Sequence, residues 1–500
     1  MNSSVGKITS IMEGNKMSLK TSSEYKKELQ TMKPRVYVFG EQVKDITEHP
    51  FLKPAFEANA KFYDFERDPR NKKRMTTKST VVPGEKISNN IRLFDSKEYL
   101  VERFETLRWL AKAFSLRGGR NADSINAMYC ATYDCDKQHE TEYHKRFKEY
   151  LKYLHRNDYM ASITQMDVKG DRSKRPIEQS DPDMFVHVVE RRKDGIVVKG
   201  AKAHQTSTIH SHEIIVMPSR IMQKDEKDYS IGFAVPTNAK GVMQICARQP
   251  SDLRRLDGMN IDSGMPQYGG TEALIIFDDV FVPWDRVFLN GEYDFTGQLM
   301  STFANYHRVR YAVKANVGEL LIGAAAQISE YNGVDKASHI RSKLIDMVAM
   351  NETMYACGLA AAMTGIQTPS GVWVDNPLLS NVVKFNVVKN MYEIGRLAED
   401  IAGGLMLTQP SEKDYKNPET GPFIKKYLKG IDGVPTEDRM RIFKLLECFT
   451  YGQGATYARF EALHGAGSPE AQKIFLGRLY DWESAKKLAR MACGIEKRED

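Results

Sequence analysis

The sequence predicts a multidomain α+β protein with an N-terminal helical domain, a central β-barrel domain and a C-terminal helix bundle. Its 500 residues leave room for about three domains of about 150 residues each. Apolar residues recur every three or four positions towards both ends of the chain, whereas the middle contains short β-branched and aromatic runs. A hydrophobic fraction of 41% and a charged fraction of 27% are typical of a folded globular protein.

Residues 1–23 form a polar extension, and helical spacing follows from 24 to 155. The segments YLVERFETLRWLAKAF and YHKRFKEYLKYL place hydrophobic side chains three or four positions apart, as on one face of a helix. Residues 156–294 contain MFVHVVERR, GIVVKGAKAH, HEIIVM, IGFAVP, GVMQICARQ and EALIIFDDVFVP, separated by Gly, Pro, Asp and Asn. These runs predict six or more strands in a sheet or barrel.

Residues 295–500 return to helical spacing, as in NVGELLIGAAAQISEY and KLIDMVAMNETMYACGLAAAM. Several long helices with small residues on their faces predict a packed bundle. Pockets form preferentially at domain boundaries, so a helix, sheet and helix order can hold a flat cofactor between its layers.

Charge and cysteine content exclude several classes of function. There are 72 basic and 65 acidic residues, and the net charge of +7 is spread too thinly to predict nucleic-acid binding. A small anionic ligand suits this charge better. Six cysteines without a C-x-x-C pair indicate a reducing cytoplasm. No stretch approaches 18 consecutive apolar residues and the N-terminus lacks the apolar core of a signal peptide, so neither a membrane span nor export is predicted.

Many short motifs occur in a recognisable order along the chain, among them RVYVFGE, KGDR, DGIVVKGAKAHQT, GGTEALIIFDDVFVP, YHR, NETMYACG, RLAEDIAGGLM and HGAGSP. Over about residues 25–497 the sequence resembles the 4-hydroxybutyryl-CoA dehydratase branch of the flavin-dependent 4-hydroxyphenylacetate 3-hydroxylase family. The resemblance implies an acyl-CoA-dehydrogenase-like fold, bound FAD, and a homotetramer, or dimer of dimers, built through the C-terminal bundle.

The dehydratases of this branch hold a [4Fe-4S] cluster through three cysteines and one histidine, and this sequence matches only the histidine, as His307. Ser115 and Gly119 stand at two cysteine positions, and HRVRYAVKAN contains no cysteine for the third. Serine and glycine cannot replace thiolate ligands. Cys130 and Cys135 are five residues apart, about 140° around a helix, and so do not share a face. We therefore predict FAD without an iron–sulfur cluster, and we assign no residue to a metal site.

The hydroxylase branch offers an alternative, because GGRNADS matches part of its Gly-Arg-x-x-Asp-Tyr loop. Gly119, Arg120 and Asp123 agree, but Ser124 replaces the tyrosine and Ile163 replaces a histidine. In the hydroxylases such a histidine and arginine bind and deprotonate the phenol. Half of that apparatus is absent, so an aromatic monooxygenase that uses reduced flavin is the second hypothesis, and it rests on Arg120.

The resemblance assigns two sets of site residues. The catalytic set comprises His307, Tyr311, Glu461, Glu272 and Arg120. The FAD-binding set comprises Thr164, Thr206, Lys314, Gly403 and Gly404. Each has a structural alternative. Thr206 is a common strand former, and Gly403 and Gly404, predicted inside a helix, could serve tight helix packing rather than the FAD of a neighbouring subunit.

Two further arguments come from spacing and chemistry. His307 and Tyr311 are four residues apart and therefore share a helical face. The alternative to a site role is that both belong to a first helical turn exposed to solvent. Glu272 enters an apolar strand, where a carboxylate is costly unless it is paired. His204, His210 and His212 would share a face only along a regular strand, and a metal site also needs a third or fourth ligand in fixed geometry. We therefore expect them to make polar contacts at the flavin or at a subunit interface rather than to form a metal site.

The predicted function is that of a cluster-free FAD enzyme acting on an acyl-CoA or similar activated acid, by dehydrogenation, isomerisation or elimination. A flavin can accept a hydride or one electron, and a carboxylate, imidazole or phenol can move the proton made acidic by a thioester carbonyl. A non-catalytic flavin-binding homologue is the third hypothesis. The retained acid and base residues argue against it, and the small-molecule substrate is expected to be a CoA thioester.

Overall fold

The described elements of the computed structural model follow the predicted order, with helices first, sheets in the middle and helices last. The structure describes residues 19–113, 122–248, 260–262, 264–265 and 270–496. The N-terminal helices are α1 Ser22–Met32, α2 Lys53–Arg67, α3 Lys72–Met75, α4 Lys97–Ala113, α5 Ala122–His139 and α6 Tyr143–Asn157. Thr21 begins α1 through a reciprocal pair of hydrogen bonds with Glu24, which satisfies amides that a helix start leaves unpaired.

Two sheets form the middle of the described structure. The strands are β1 Val36–Val38, β2 Glu41–Gln42, β3 Thr76–Lys78, β4 Lys86–Ser88, β5 Ala161–Thr164, β6 His187–Arg191, β7 Gly195–Thr206, β8 Glu213–Val216, β9 Ile231–Pro236, β10 Val242–Cys246, β11 Glu272–Pro283, β12 Val287–Asn290, β13 Ile366–Gln367 and β14 Trp373–Val374. One sheet has the order β2-β1-β10-β11-β7-β6 and the other has the order β12-β9-β8-β5. Two small hairpins, β3–β4 and β13–β14, lie apart from them.

The predicted barrel does not close among the described residues, and the prediction of a barrel is wrong. The two sheets pack face to face instead, as the edge-to-face contact of Phe233 in β9 with Phe277 in β11 shows, at 5.9 Å between ring centroids. Side chains from one face of each sheet fill a common core, which is the arrangement of a sandwich. The N-terminal region also supplies β1, which pairs parallel with β10 through Val36 and Gln244.

The C-terminal helices pack as a bundle around α8, α9 and α10. Their bounds are α7 Tyr293–Arg310, α8 Ala315–Tyr331, α9 Ser338–Met363, α10 Pro377–Ala402, α11 Glu412–Lys416, α12 Gly421–Tyr427, α13 Thr436–Thr450, α14 Gln453–Ala455, α15 Glu461–His464, α16 Pro469–Leu479 and α17 Trp482–Ala492. A 3-10 turn at Tyr311–Lys314 joins α7 to α8, and a π-helix at Thr456–Phe460 joins α14 to α15. Within the described part of the chain, no helix is long and apolar enough to span a membrane.

Candidate functional site

A cavity of about 1730 Å³ lies where the sheets meet the C-terminal bundle. Its wall is built from the ends of β7 and β11, the last turns of α7, the turn that follows α7, and the segment that contains the π-helix. Six predicted site residues line it: Thr206, Glu272, His307, Tyr311, Lys314 and Glu461. Pockets for one drug-sized ligand occupy about 300–1,000 Å³, so this cavity has room for a cofactor and a second molecule.

Thr206 and Glu272 form a pair on the sheet side of the cavity. Strands β7 and β11 run antiparallel in a register that places Thr206 opposite Glu272. The Thr206 hydroxyl donates to the Glu272 carboxylate, with Oγ1 at 2.9 Å from Oε1 and 2.8 Å from Oε2. The predicted cost of a carboxylate at the start of an apolar strand is therefore reduced by this bond.

His307 and Tyr311 form the opposite wall, at the end of α7. Their ring centroids are 5.3 Å apart and the rings are nearly perpendicular, at 89°. The imidazole also stacks on Phe303, one helical turn earlier, at 5.1 Å and 19°. The predicted shared face is present, and the alternative of a solvated first turn fails, because Tyr311 is buried and His307 is only partly exposed.

Asp123 of α5 lies behind His307, with Oδ2 at 3.2 Å from Nδ1. Its other oxygen accepts a hydrogen bond of 2.5 Å from Arg103 Nη2. Burial alone would raise the pKa of the Asp123 carboxyl, but the Arg103 charge, the His307 hydrogen bond and the Arg310 charge outweigh burial and lower it. Asp375 is a second buried carboxyl beside Arg103, and burial raises its pKa to about 7.

Lys314 and Glu461 form an ion pair on the bundle side. Lys314 Nζ is buried, lies 3.0 Å from Glu461 Oε2, and also donates to the Tyr457 carbonyl at 2.5 Å. The same ammonium lies 3.1 Å from the centroid of the Tyr457 ring. Tyr457 belongs to the π-helix, a distortion that is frequent at functional sites. The π-helix therefore connects α14 to Glu461 and supplies two of the contacts of Lys314.

Tyr311 is enclosed by groups that keep its phenol protonated. Burial raises its pKa well above the ordinary value, and the negative charges of Glu461 and Glu272 act in the same direction. Gly465 packs directly on the phenol, since a Cβ at that position would lie 1.7 Å from Oη. Lys384 Nζ lies 4.0 Å from the ring centroid, and burial lowers the pKa of this lysine to about 7.

The cavity wall carries more positive than negative side chains. Its cationic residues are Lys169, Arg172, Arg310, Lys314 and Arg459, against the carboxylates of Glu272 and Glu461. Lys169 and Arg172, from the KGDR motif, are exposed. A surplus of cations in a confined space attracts anionic ligands.

Three of the predicted residues that the structure describes do not line the cavity. Thr164 is fully buried at the end of β5, next to cavity-lining Gln165, and its hydroxyl has no hydrogen-bond partner among the described residues. Gly403 and Gly404 are exposed, and their predicted helix-interior position is wrong, because α10 ends at Ala402 and Gly403 has a φ of +74°. Arg120 lies outside the described residues.

The three clustered histidines separate in the fold. His204 lines the cavity, whereas the 3-10 turn at Thr208–His210 interrupts the strand after β7. Within the protein, His210 Nε2 lies 3.1 Å from the Ile46 carbonyl and His212 Nε2 lies 3.0 Å from Glu28. In the described ranges, no group of three or more His, Cys, Asp or Glu side chains is placed to hold a metal ion.

Sequence reasoning missed four residues of this region. Cys246, at the end of β10, lines the cavity, and burial together with the Glu272 charge raises its pKa to about 11. Arg103, Asp375 and Lys384 lie behind the wall. A lysine within the apolar run NVVKFNVVKN was a usable signal, because a buried ammonium is costly without a purpose.

The family follows from two adjoining matches that cover most of the chain. The family model described as 4-hydroxyphenylacetate 3-hydroxylase N terminal matches residues 21–289, and that described as 4-hydroxyphenylacetate 3-hydroxylase C terminal matches residues 296–494. The chain belongs to the 4-hydroxyphenylacetate 3-hydroxylase family. It is an enzyme, as its relatives are.

Individual relatives come from both branches. The chain is 43% identical over 490 residues to the 4-hydroxybutyryl-CoA dehydratase/vinylacetyl-CoA-Δ-isomerase of Clostridium aminobutyricum, covering 96% of this chain and 100% of that protein. The structure of an oxygen-tolerant 4-hydroxybutyryl-CoA dehydratase from N. maritimus has a TM-score of 0.92 and 42% identity, with 97% and 96% of the two chains covered.

Similarity to the monooxygenases is lower. The 4-hydroxyphenylacetate 3-monooxygenase oxygenase component of Thermus thermophilus is 28% identical over 479 residues, covering 94% of this chain and 96% of that protein. The structure of such an oxygenase component complexed with FAD has a TM-score of 0.82 and 25% identity, with 94% and 98% of the two chains covered. The predicted family resemblance is confirmed.

Proposed function

We propose that this protein is an FAD-dependent enzyme, of acyl-CoA-dehydrogenase-like fold, that acts on an acyl-CoA or similar activated acid by dehydrogenation, isomerisation or elimination. The observation that carries the proposal is one cavity wall that brings together His307, Tyr311, Glu272 and the Lys314–Glu461 ion pair. The 43% identity to a dehydratase whose name includes a CoA thioester supports the substrate class.

The cavity residues fit FAD. Its volume of about 1730 Å³ accommodates a dinucleotide beside a substrate, and its cations suit a pyrophosphate. The Thr206 hydroxyl, which lines the cavity, is a polar group that would hold the ring system. Bound FAD would supply an acceptor of a hydride or of one electron. An oxygenase component of this family has been crystallised with FAD.

The chain's own residues would move protons. A thioester carbonyl acidifies the neighbouring C–H bonds, and the Glu461 carboxylate or the His307 imidazole can accept such a proton. Lys314 holds Glu461 in place through its 3.0 Å contact. Tyr311, whose pKa is raised by burial, stays protonated at neutral pH and can donate a hydrogen bond to a substrate oxygen.

We further propose that the enzyme holds no iron–sulfur cluster. The support is the donor set, because the positions that match two cluster cysteines are Ser115 and Gly119, and within the described residues Cys246 is the cysteine that lines the cavity. One thiol and one imidazole do not make the usual four-ligand set. The purified protein should show a flavin spectrum without a cluster shoulder, and stoichiometric iron and sulfide would contradict the proposal.

The substrate class is tested by titrating the purified flavoprotein with 4-hydroxybutyryl-CoA and, separately, with 4-hydroxyphenylacetate. We expect the thioester to perturb the flavin spectrum and the phenol to leave it unchanged. Lys169→Gln should weaken thioester binding, because Lys169 lines the cavity, whereas Lys174→Gln in the same loop should not. Tight phenol binding with oxygen-dependent hydroxylation by reduced flavin would establish the monooxygenase alternative instead.

The proposed oligomeric state is tested separately. Light scattering should give the mass of a homotetramer.

A further inference from the structure

We propose that Asp123 is a positioning residue that fixes the orientation and tautomer of His307, with Arg103 holding Asp123 in place. The inference rests on the proposed function in one respect, that His307 moves a proton. Its basis is a continuous line of contacts from the cavity to the interior. His307 lines the cavity, Asp123 lies 3.2 Å behind it, and Arg103 lies 2.5 Å behind Asp123.

The contact with Asp123 determines which imidazole nitrogen faces the cavity. A carboxylate can only accept a hydrogen bond, so His307 Nδ1 must carry the proton that it shares with Asp123 Oδ2. The neutral ring then has its lone pair on Nε2, on the side away from Asp123. Stacking on Phe303 at 5.1 Å keeps the ring from turning. Nε2 is thereby available as the proton acceptor.

Arg103 distinguishes Asp123 from the second carboxyl beside it. Arg103 Nη2 donates to Asp123 at 2.5 Å, whereas Nη1 lies 3.6 Å from Asp375, too far for a hydrogen bond. The guanidinium also covers the Phe94 ring at 4.3 Å. Arg310 adds a second cation 3.8 Å from Asp123 Oδ2. The negative charge is therefore held on the carboxyl that contacts His307.

A merely structural role for Asp123 would be to neutralise Arg103. Replacement by asparagine separates the two roles, because Arg103 dictates how the new amide is oriented. The guanidinium has only donors, so the amide oxygen of Asp123→Asn must face Arg103 and its NH₂ must face His307. His307 Nδ1 then becomes an acceptor, and the proton moves to Nε2. The lone pair is lost from the cavity side although the shape is conserved.

The test is modification of His307 by diethyl pyrocarbonate, which reacts with an unprotonated imidazole nitrogen, followed by mass spectrometry of the FAD-bound protein. We expect the rate at His307 to fall at least 10-fold in Asp123→Asn and to change less than 2-fold in Asp375→Asn. Asp375→Asn is the control, because it also removes a carboxyl beside Arg103 but leaves the contact of His307 with Asp123 in place. Equal rates in the wild type and Asp123→Asn, or an unreactive wild-type His307, would overturn the proposal.

A second pair of variants covers the case in which Asp123→Asn does not fold. In His307→Asn the amide nitrogen lies near the place of Nδ1 and can still donate to Asp123, whereas in His307→Gln it lies near the place of Nε2. The thermal midpoint should therefore be higher for His307→Asn than for His307→Gln, and the reverse order would count against the proposal. None of these measurements needs a substrate, so failure of the proposed function is a separate result.

Where 4-hydroxybutyryl-CoA is turned over, Asp123→Asn should lower kcat at least 10-fold with KM unchanged, and Asp123→Glu should restore part of the loss. A wrong tautomer behind a catalytic histidine lowers kcat by about 10⁴ in a serine protease. If KM changed by the same factor as kcat, or if kcat were unchanged, Asp123 would have a structural role only.

Discussion

Asp375→Asn should stabilise the protein at neutral and alkaline pH, although it removes a charged partner of Arg103. The Asp375 carboxyl is fully buried, and neither of its oxygens has a hydrogen-bond partner among the described residues. Burial raises its pKa from the ordinary 3.8 to about 7, against the attraction of Arg103. At about 1.36 kcal/mol for each pH unit, the difference of about three pH units gives a penalty on the order of 4 kcal/mol for ionising Asp375 in the folded protein.

Proton linkage determines the direction in which pH changes the free energy of unfolding. Because the folded state binds this proton more tightly than the unfolded chain, the free energy of unfolding falls as pH rises from about 4 to about 7, and it is level above that. Asparagine does not titrate and keeps the shape of the side chain. The variant should therefore match the wild type near pH 4 and exceed it by up to about 4 kcal/mol at pH 8.

The assay is urea unfolding of the wild type and Asp375→Asn at intervals from pH 5 to pH 8. Asp123→Asn is the matched control, because the pKa of Asp123 is lowered and its charge stabilises the fold throughout this range. The control should lose stability where Asp375→Asn gains it. Parallel curves of unfolding free energy against pH for the wild type and Asp375→Asn would refute the assignment of a protonated Asp375 beside an ionised Asp123. Equal losses of unfolding free energy in both variants would refute it as well.

Two further predictions concern the cavity wall. His307→Ala and Glu461→Gln, made separately, should each lower turnover on the order of 100-fold while FAD stays bound, the range usual for a positioned acid or base; unchanged turnover per flavin in both would leave these groups with a packing role. Gly465→Ala should displace Tyr311, because the added Cβ would lie 1.7 Å from Oη, and lower both the thermal midpoint and turnover. Gly477→Ala, in an open helical position, should be neutral or stabilising, and equal effects of the two alanines would contradict the packing argument.

The order of helices and sheets was predictable because the period of the apolar residues changes along the chain. Whether the sheet closes into a barrel was not predictable, since strands of a barrel and strands of a sandwich have the same alternation of apolar and polar residues. Strand β1 has three residues, and its pairing with β10 depends on a partner about 200 positions away. Gly403 is a signal for the end of α10 at Ala402, because glycine often terminates a helix, although the helical spacing before it predicts the pair inside the helix.

The cavity wall was predicted better than the layer behind it. Residues such as Glu272 and His307 occur in motifs, and their partners across the cavity follow from the resemblance. Arg103 and Asp375 stand in ordinary helical and loop sequence, and their proximity to Asp123 arises only when α4, α5 and the end of β14 pack together. A buried charge network of this kind has no local sequence signal, because each member is distant from the others along the chain.

The charges around the cavity divide the proton chemistry among its residues. Tyr311 cannot serve as a base near neutral pH, because burial and two nearby carboxylates raise its pKa. One oxygen of the Glu461 carboxylate is already engaged in the ion pair with Lys314, at 3.0 Å from Nζ. His307 Nδ1 is engaged by the Asp123 carboxylate at 3.2 Å, which leaves Nε2 as the nitrogen that can accept a proton. Under the proposed function we therefore assign proton removal from the substrate to His307, with Tyr311 as the donor to the substrate oxygen.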